Sequence, residues 1–184
     1  LPEQVDLVRG NQVYVPKAGM PPALLNRLVR MAAFQNPEFY KMQAMRKPTY
    51  ATPRIIGCAE EFPLHIGLPR GCLDEVLGLF EELGVCCAIR DERHPGLRLK
   101  ARFTGRLRPE QRLAARAMFE HDTGVLSATT AFGKTVVAAY LIAKRKVNTL
   151  VLVHNRELLD QWLARLGQFL DVPPEQIGQI RGGK

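Results

Sequence analysis

The chain has 184 residues, 46% of them hydrophobic and 24% charged, with a formal net charge of +8. This balance excludes a disordered polymer and allows one or two globular domains. No apolar run reaches the length of a membrane span and no secretory leader is visible, so the expectation is a cytoplasmic protein without a membrane partner.

Taken in order, Gln12–Pro16 alternates like a short strand. After the Gly19–Pro22 turn, Leu24, Leu28, Met31 and Gln35 lie on one face at helical spacing, with Leu25 and Ala32 beside them. Asn36-Pro37 interrupts that helix, and a second helical piece runs to about Arg46. Residues 27–54 carry six Lys/Arg against the single acid Glu38, interleaved with Phe34, Phe39, Tyr40 and Tyr50. Cations and aromatics together can grip phosphates and stack on bases, although the same aromatics can fill a small core. Arg46, Lys47 and Arg54 are the candidate phosphate contacts. Strands are expected over 53–59 and 64–68, a helix over 72–83 ended by Gly84, and a strand over 85–89. Residues 60–92 hold eight acids against two Arg, so an acidic stretch follows the basic one. The four cysteines, Cys58, Cys72, Cys86 and Cys87, show no Cys-x-x-Cys spacing and read as buried, reduced thiols. Residues 1–103 thus read as a small α+β domain, and nothing in it resembles a catalytic constellation.

A second domain, 104–184, is expected to be of α/β type with a parallel sheet. Pro109 suits the first turn of a helix that places Leu113 and Ala117 inward, with Ala114 and Met118 beside them. Val125–Ala128 reads as a buried strand, and Thr135–Arg145 as a helix burying Val136, Ala139, Tyr140 and Ala143. Asn148–His154 reads as an apolar central strand, and Arg156–Phe169 as a helix burying Leu158, Leu159, Trp162, Leu166 and Phe169. Ile177–Ile180 is a possible further strand start before Arg181–Lys184.

Between the Val125 strand and the Thr135 helix lies Ala128-Thr129-Thr130-Ala131-Phe132-Gly133-Lys134-Thr135. This is the Gly-x4-Gly-Lys-Ser/Thr phosphate-binding pattern with Ala in place of the first Gly. Successive backbone N–H groups from Thr129 to Val136 would form a nest for phosphate oxygens, helped by the positive end of the helix. Gly133 would let the backbone approach the phosphates, Lys134 would reach the β- and γ-phosphates, and the Thr135 hydroxyl would bind Mg²⁺. The expected cofactors are therefore ATP and Mg²⁺, with Lys134 and Thr135 as the residues closest to chemistry.

Three segments in order resemble superfamily 2 helicases. Arg108-Pro109-Glu110-Gln111 resembles the adenine-reading element of that family, and a Gln amide can pair with adenine N6 and N7. Ala128–Thr135 resembles its motif I. Val153–Trp162, containing His154, Asn155 and Arg156, resembles motif Ia, which lies on the nucleic-acid backbone. The resemblance is to XPB-like translocases, type III restriction enzyme helicase subunits and helicases of TOTE conflict systems. In the first domain, Leu68–Gly71 and Arg90–Arg93 resemble the DNA-recognition domain of XPB-like proteins.

The resemblance implies a RecA-like P-loop fold and an ATP-driven helicase or translocase acting on nucleic acid, DNA in preference to RNA. The chain opens on Leu1 rather than Met and reads as a piece of something longer. Motif II and the second motor domain are not in the sequence, so weak ATP binding without turnover is expected of this piece. Two other classes compete. One is a P-loop kinase or GTPase, which lacks an Arg-Pro-x-Gln segment. The other is a nucleic-acid-binding module without motor activity.

Overall fold

In Gln4–Arg9 (β1), Val5 and Leu7 alternate with Gln4 and Asp6, and this period of two makes a strand with one buried face. A computed structural model describes residues 1–180; these fall into two units, Leu1–His94 and a second that begins at Pro95. In the first unit β1 pairs antiparallel with β2 (Val13–Pro16) and parallel with β7 (Cys86–Asp91). β6 (His65–Leu68) pairs antiparallel with β2, and β5 (Glu60–Glu61) closes the edge, giving the order β5-β6-β2-β1-β7.

Two amphipathic helices supply the other layer. α1 (Pro22–Met31) starts on proline and buries Leu24 and Leu28, one turn apart. α3 (Leu73–Glu82) follows a 3₁₀ turn at Arg70–Cys72 and buries Leu73, Val76, Leu79 and Phe80. These side chains meet Val5, Leu7, Val13, Val15, Ile66 and Leu68 from one face of the sheet in a single core. Gly84 ends α3 with φ 69°, a left-handed position that only glycine adopts without cost.

Between α1 and β5 the chain makes an excursion. A two-stranded ribbon pairs β3 (Ala33–Gln35) with β4 (Ile55–Gly57), and α2 (Pro37–Ala44) lies between them in sequence. The buried Asn36 secures it: its Oδ1 accepts from Glu38 N–H at 3.0 Å and its Nδ2 donates to the Pro53 carbonyl at 2.8 Å.

The second unit is built on three helices, α4 (Pro109–Phe119), α5 (Lys134–Arg145) and α6 (Arg156–Phe169), with α5 packed on both others. Residues 97–103 belong with this unit: Arg98 bridges to Val147, Phe103 bridges to Leu170, and Leu97 N–H donates to Asn148 Oδ1. Phe103 also stacks on Phe169 and meets Tyr140 edge-on.

Several expectations for this unit need correction. Val125–Ala128 and Asn148–His154 form no strand ladder among the described residues, and Val125, Leu150 and Leu152 stand 93%, 72% and 84% exposed. An apolar run becomes a strand only where neighbours take up its backbone groups along its length; beyond the Asn148 N–H bond to the Leu97 carbonyl, no such pairing runs along either segment among the described residues. Ile177–Ile180 is likewise irregular, and Arg181–Lys184 lies outside the described residues. α4 buries Gln111 and Ala115, whereas Leu113 is 70% exposed. α5 buries Val137 and Ile142 with Ala139 and Ala143, and Val136 and Tyr140 are half-buried. No α6 side chain is fully buried; Leu166 and Phe169 pack on the cluster around Ala139 and Ile142. The thiols also divide: Cys58 and Cys86 are exposed, and only Cys72 and Cys87 are half-buried against the core.

Candidate nucleotide-binding loop and nucleic-acid interface

The turn before α5 is fixed by two left-handed residues, Ala131 at φ 65° and Gly133 at φ 86°. Gly133 is also held close to α4: a Cβ there would lie 2.5 Å from Gln111 Nε2. Phe132 between them points its carbonyl back at α4. Gln111 Nε2 donates to that oxygen at 2.7 Å and Arg108 Nη2 at 2.5 Å. The Gln111 Oε1 accepts from Arg108 N–H at 3.0 Å, so the buried amide joins the start of α4 to the loop. An amide nitrogen has two N–H groups and the oxygen two lone pairs, so each end retains one hydrogen-bonding position.

α5 begins at Lys134 with no side chain capping it; Val136 and Val137 N–H donate to the Gly133 carbonyl, and the N–H groups ahead of them take no side-chain cap. Lys134 is exposed, and its Nζ donates to the carbonyls of Ala128 at 2.7 Å and Thr129 at 3.1 Å. The ammonium therefore arches over the loop. Thr129, Thr130 and Ala131 are exposed, and Thr135 and Val136 are half-buried. A cationic side chain, an uncapped helix start and a left-handed glycine thus converge on one turn. That donor set fits a polyphosphate, and the Thr135 hydroxyl suits a hard cation bridging its oxygens. The Phe132 carbonyl, shared by Arg108 and Gln111, was not legible in the sequence. Its role depends on the φ of Ala131, and no propensity asks an alanine to be left-handed.

His154, Asn155 and Arg156 are all exposed at the start of α6. Asn155 caps the helix, its Oδ1 accepting from Leu158 N–H at 2.8 Å, and its Nδ2 faces His154 Nε2 at 3.4 Å. Arg156 lies 3.9 Å from Asp160, a loose exposed pair one turn along the helix. In the first unit Arg46 and Lys47 are exposed where α2 ends, and Arg46 itself is left-handed at φ 53°. Arg54 differs from them. Its Nε donates to Tyr40 Oη at 3.1 Å, its guanidinium lies over the same ring at 5.9 Å, and the hydrogen bond raises its pKa further.

The run Arg90–Arg93 is laced by its own charges. Arg90 pairs with Glu92 at 2.7 Å, and Arg93 binds Asp91 through two nitrogens at 2.9 and 2.7 Å. The Arg93 hydrogen bonds hold the Asp91 carboxyl down at about 2.

Comparison with known proteins finds the family described as type III restriction enzyme, res subunit, over residues 104–184. A protein named as a helicase of Invertebrate iridescent virus 3 is 36% identical over 85 residues, 44% of this chain and 26% of that protein. The DNA 3'-5' translocase XPB2 of Sulfurisphaera tokodaii is 36% identical over 72 residues, 39% of this chain and 16% of its own length. A protein named as an ATP-dependent RNA helicase of Acanthamoeba polyphaga mimivirus is 40% identical over 83 residues, 43% of this chain and 16% of its own. The chain thus spans about a quarter or less of the curated relatives it matches.

Proposed function

We propose, from the match of residues 104–184 to the type III restriction enzyme res subunit family and the likeness to a DNA translocase, that the chain is the ATP-binding front portion of an ATP-driven superfamily 2 DNA helicase or translocase. The observation that carries this is the loop itself: Lys134 and the uncapped start of α5 face the same turn that Gln111 of α4 holds by its backbone. ATP with Mg²⁺ supplies the anhydride whose cleavage drives movement in the whole protein. The chain's own residues bind and orient it. Lys134 exchanges the Ala128 and Thr129 carbonyls for phosphate oxygens, a stronger acceptor for an ammonium. Thr135 would take the metal side, and the N–H groups from Thr129 to Val136, apart from those of Phe132 and Val136 that donate to the Thr129 and Gly133 carbonyls, would line the nest. Gln111 keeps one N–H and one lone pair for a purine edge, which favours ATP over GTP.

In this reading Val125–Ala128 and Asn148–His154, which form no ladder among the described residues, are the segments that would take up a RecA-like parallel sheet in the whole protein. Their near-continuous apolar character supports it, as does the placing of a helix directly after each. The segment His154–Arg156 then sits where such a sheet receives ligands, and Arg46 and Lys47 give the first unit a phosphate-facing patch.

Titration calorimetry with ATP–Mg²⁺ tests the loop. Lys134→Ala is expected to lose about 1.5–3 kcal/mol of binding, the worth of a charge-assisted contact. Equal affinity for wild type and variant would reject Lys134 as a phosphate ligand.

A further inference from the structure

The helices α1 and α3 cover one face of the five-stranded sheet, and the residues that alternate with the core lie on the other. Strand register places Val8 beside Tyr14 and Arg90, and Pro16 beside His65, on that second face. They line a cleft of about 590 Å³ together with Asp6 and Glu92. That volume lies within the ordinary range of small-ligand sites.

Two features narrow what the cleft takes. Three aromatic rings gather at its β2–β6 side: Phe62 stacks on His65 at 4.7 Å between ring centres, and Tyr14 meets His65 edge-on at 5.2 Å. Gly67 makes room for this group, since a Cβ there would come within 3.0 Å of the Phe62 ring and 2.0 Å of the Gln12 side-chain Oε1. On the β1–β7 side the charge is two carboxylates, Asp6 and Glu92, against one guanidinium, Arg90. Such a lining repels phosphate. It suits a flat, neutral ring whose edge donates hydrogen bonds to carboxylates and accepts one from arginine. Sheet-borne aromatics beside groups that read base edges are a general means of holding unstacked bases.

We propose that this uncovered sheet face receives a single unstacked nucleobase with an exocyclic amino group, while the phosphates of the same strand stay outside the cleft. The site rests on the nucleic-acid reading above but is separate from the Arg46–Lys47 patch, so the two can fail separately.

The test compares a single-stranded oligodeoxycytidine with an abasic strand of the same length and charge, by fluorescence anisotropy on the whole chain. The wild type is expected to prefer the base-bearing strand by about tenfold, within the range of base–aromatic stacking. Tyr14→Ala removes a ring, and Val8→Glu places a third carboxylate on the half-buried floor beside Tyr14 while all three rings are kept. Each is expected to abolish the preference, and Tyr14→Ala, which changes no charge, to leave affinity for the abasic strand unchanged. The Arg46→Ala, Lys47→Ala double variant is expected to weaken both strands alike and keep the preference. Equal binding of both strands by wild type, or a preference surviving in Tyr14→Ala and Val8→Glu, would overturn the base site. Failure of wild type to bind either strand at low salt would overturn the nucleic-acid reading and the base site with it.

Discussion

At the scale of single residues the loop depends most on Gly133. Its φ of 86° is a conformation that costs other residues about 1–2 kcal/mol. Its missing Cβ also makes room for Gln111 Nε2, which would lie 2.5 Å from a carbon built there. Gly133→Ala should therefore lower stability through two separable causes, strain and collision. Urea unfolding is expected to show a loss of about 1–2 kcal/mol from the strain alone, plus the collision. In a Gln111→Ala background only the strain should remain, so the glycine substitution should cost less there. Identical costs in both backgrounds would mean that Gln111 moves aside freely and does not hold the loop. The sequence showed Gly133 plainly, because the phosphate-loop pattern demands glycine there. It was silent on Ala131, whose left-handed φ turns the Phe132 carbonyl toward Arg108 and Gln111.

At the scale of elements, periodicity read the helices well and their faces less well. α3 and α5 fall where the apolar spacing put them; α1 stops at Met31, and Ala33–Gln35, expected to continue it, forms β3, while α4 turns Gln111 and Ala115 inward and leaves Leu113 outside. A polar residue was not expected to face inward; the loop carbonyl that satisfies Gln111 makes the burial possible. β1 was overlooked although Gln4–Val8 alternates, because its acidic and amide positions diluted a short run. The apolar runs Val125–Ala128 and Asn148–His154 show the opposite limit: composition marks a segment fit for a sheet, but only neighbours make it a strand.

The β7 cysteines test which way that strand faces. Adjacent residues of a strand point to opposite sides, and Cys86 is exposed while Cys87 packs toward the core. Burial pushes the Cys87 thiol pKa up, with a smaller contribution from Cys86; burial also raises Cys72, followed by the nearby Glu75 and Cys58. A raised pKa leaves less thiolate near neutral pH, and partial burial restricts access as well. Cys58 and Cys86 are accordingly expected to react fast with an aromatic disulfide reagent, and Cys72 and Cys87 slowly, as single Cys→Ser variants would identify. Fast reaction at Cys87 would place β7 the other way round.

At the scale of the whole molecule, the excess of positive charge matters through where it is displayed. The first unit exposes Arg46 and Lys47 at the end of α2, and neither is engaged the way Arg54 is by Tyr40. The second unit exposes Arg156 at the start of α6, paired with Asp160 only at 3.9 Å. Releasing so loose a pair forfeits at most about 0.2–0.5 kcal/mol, so Arg156 can turn to a phosphate at little cost. Each phosphate neutralised releases counterions, which makes affinity fall steeply and log-linearly with salt. DNA binding by the chain should therefore weaken sharply between low and physiological salt, with little sequence preference. Arg156→Ala is expected to reduce the salt slope by about one, and Arg46→Ala with Lys47→Ala by about two. Arg54→Ala should change it less, because its guanidinium is already committed to Tyr40. Anisotropy at three salt concentrations decides the matter. A slope unchanged in Arg156→Ala would return that residue to its pair with Asp160, and a flat slope in the wild type would leave the positive charge without a polyanion to meet.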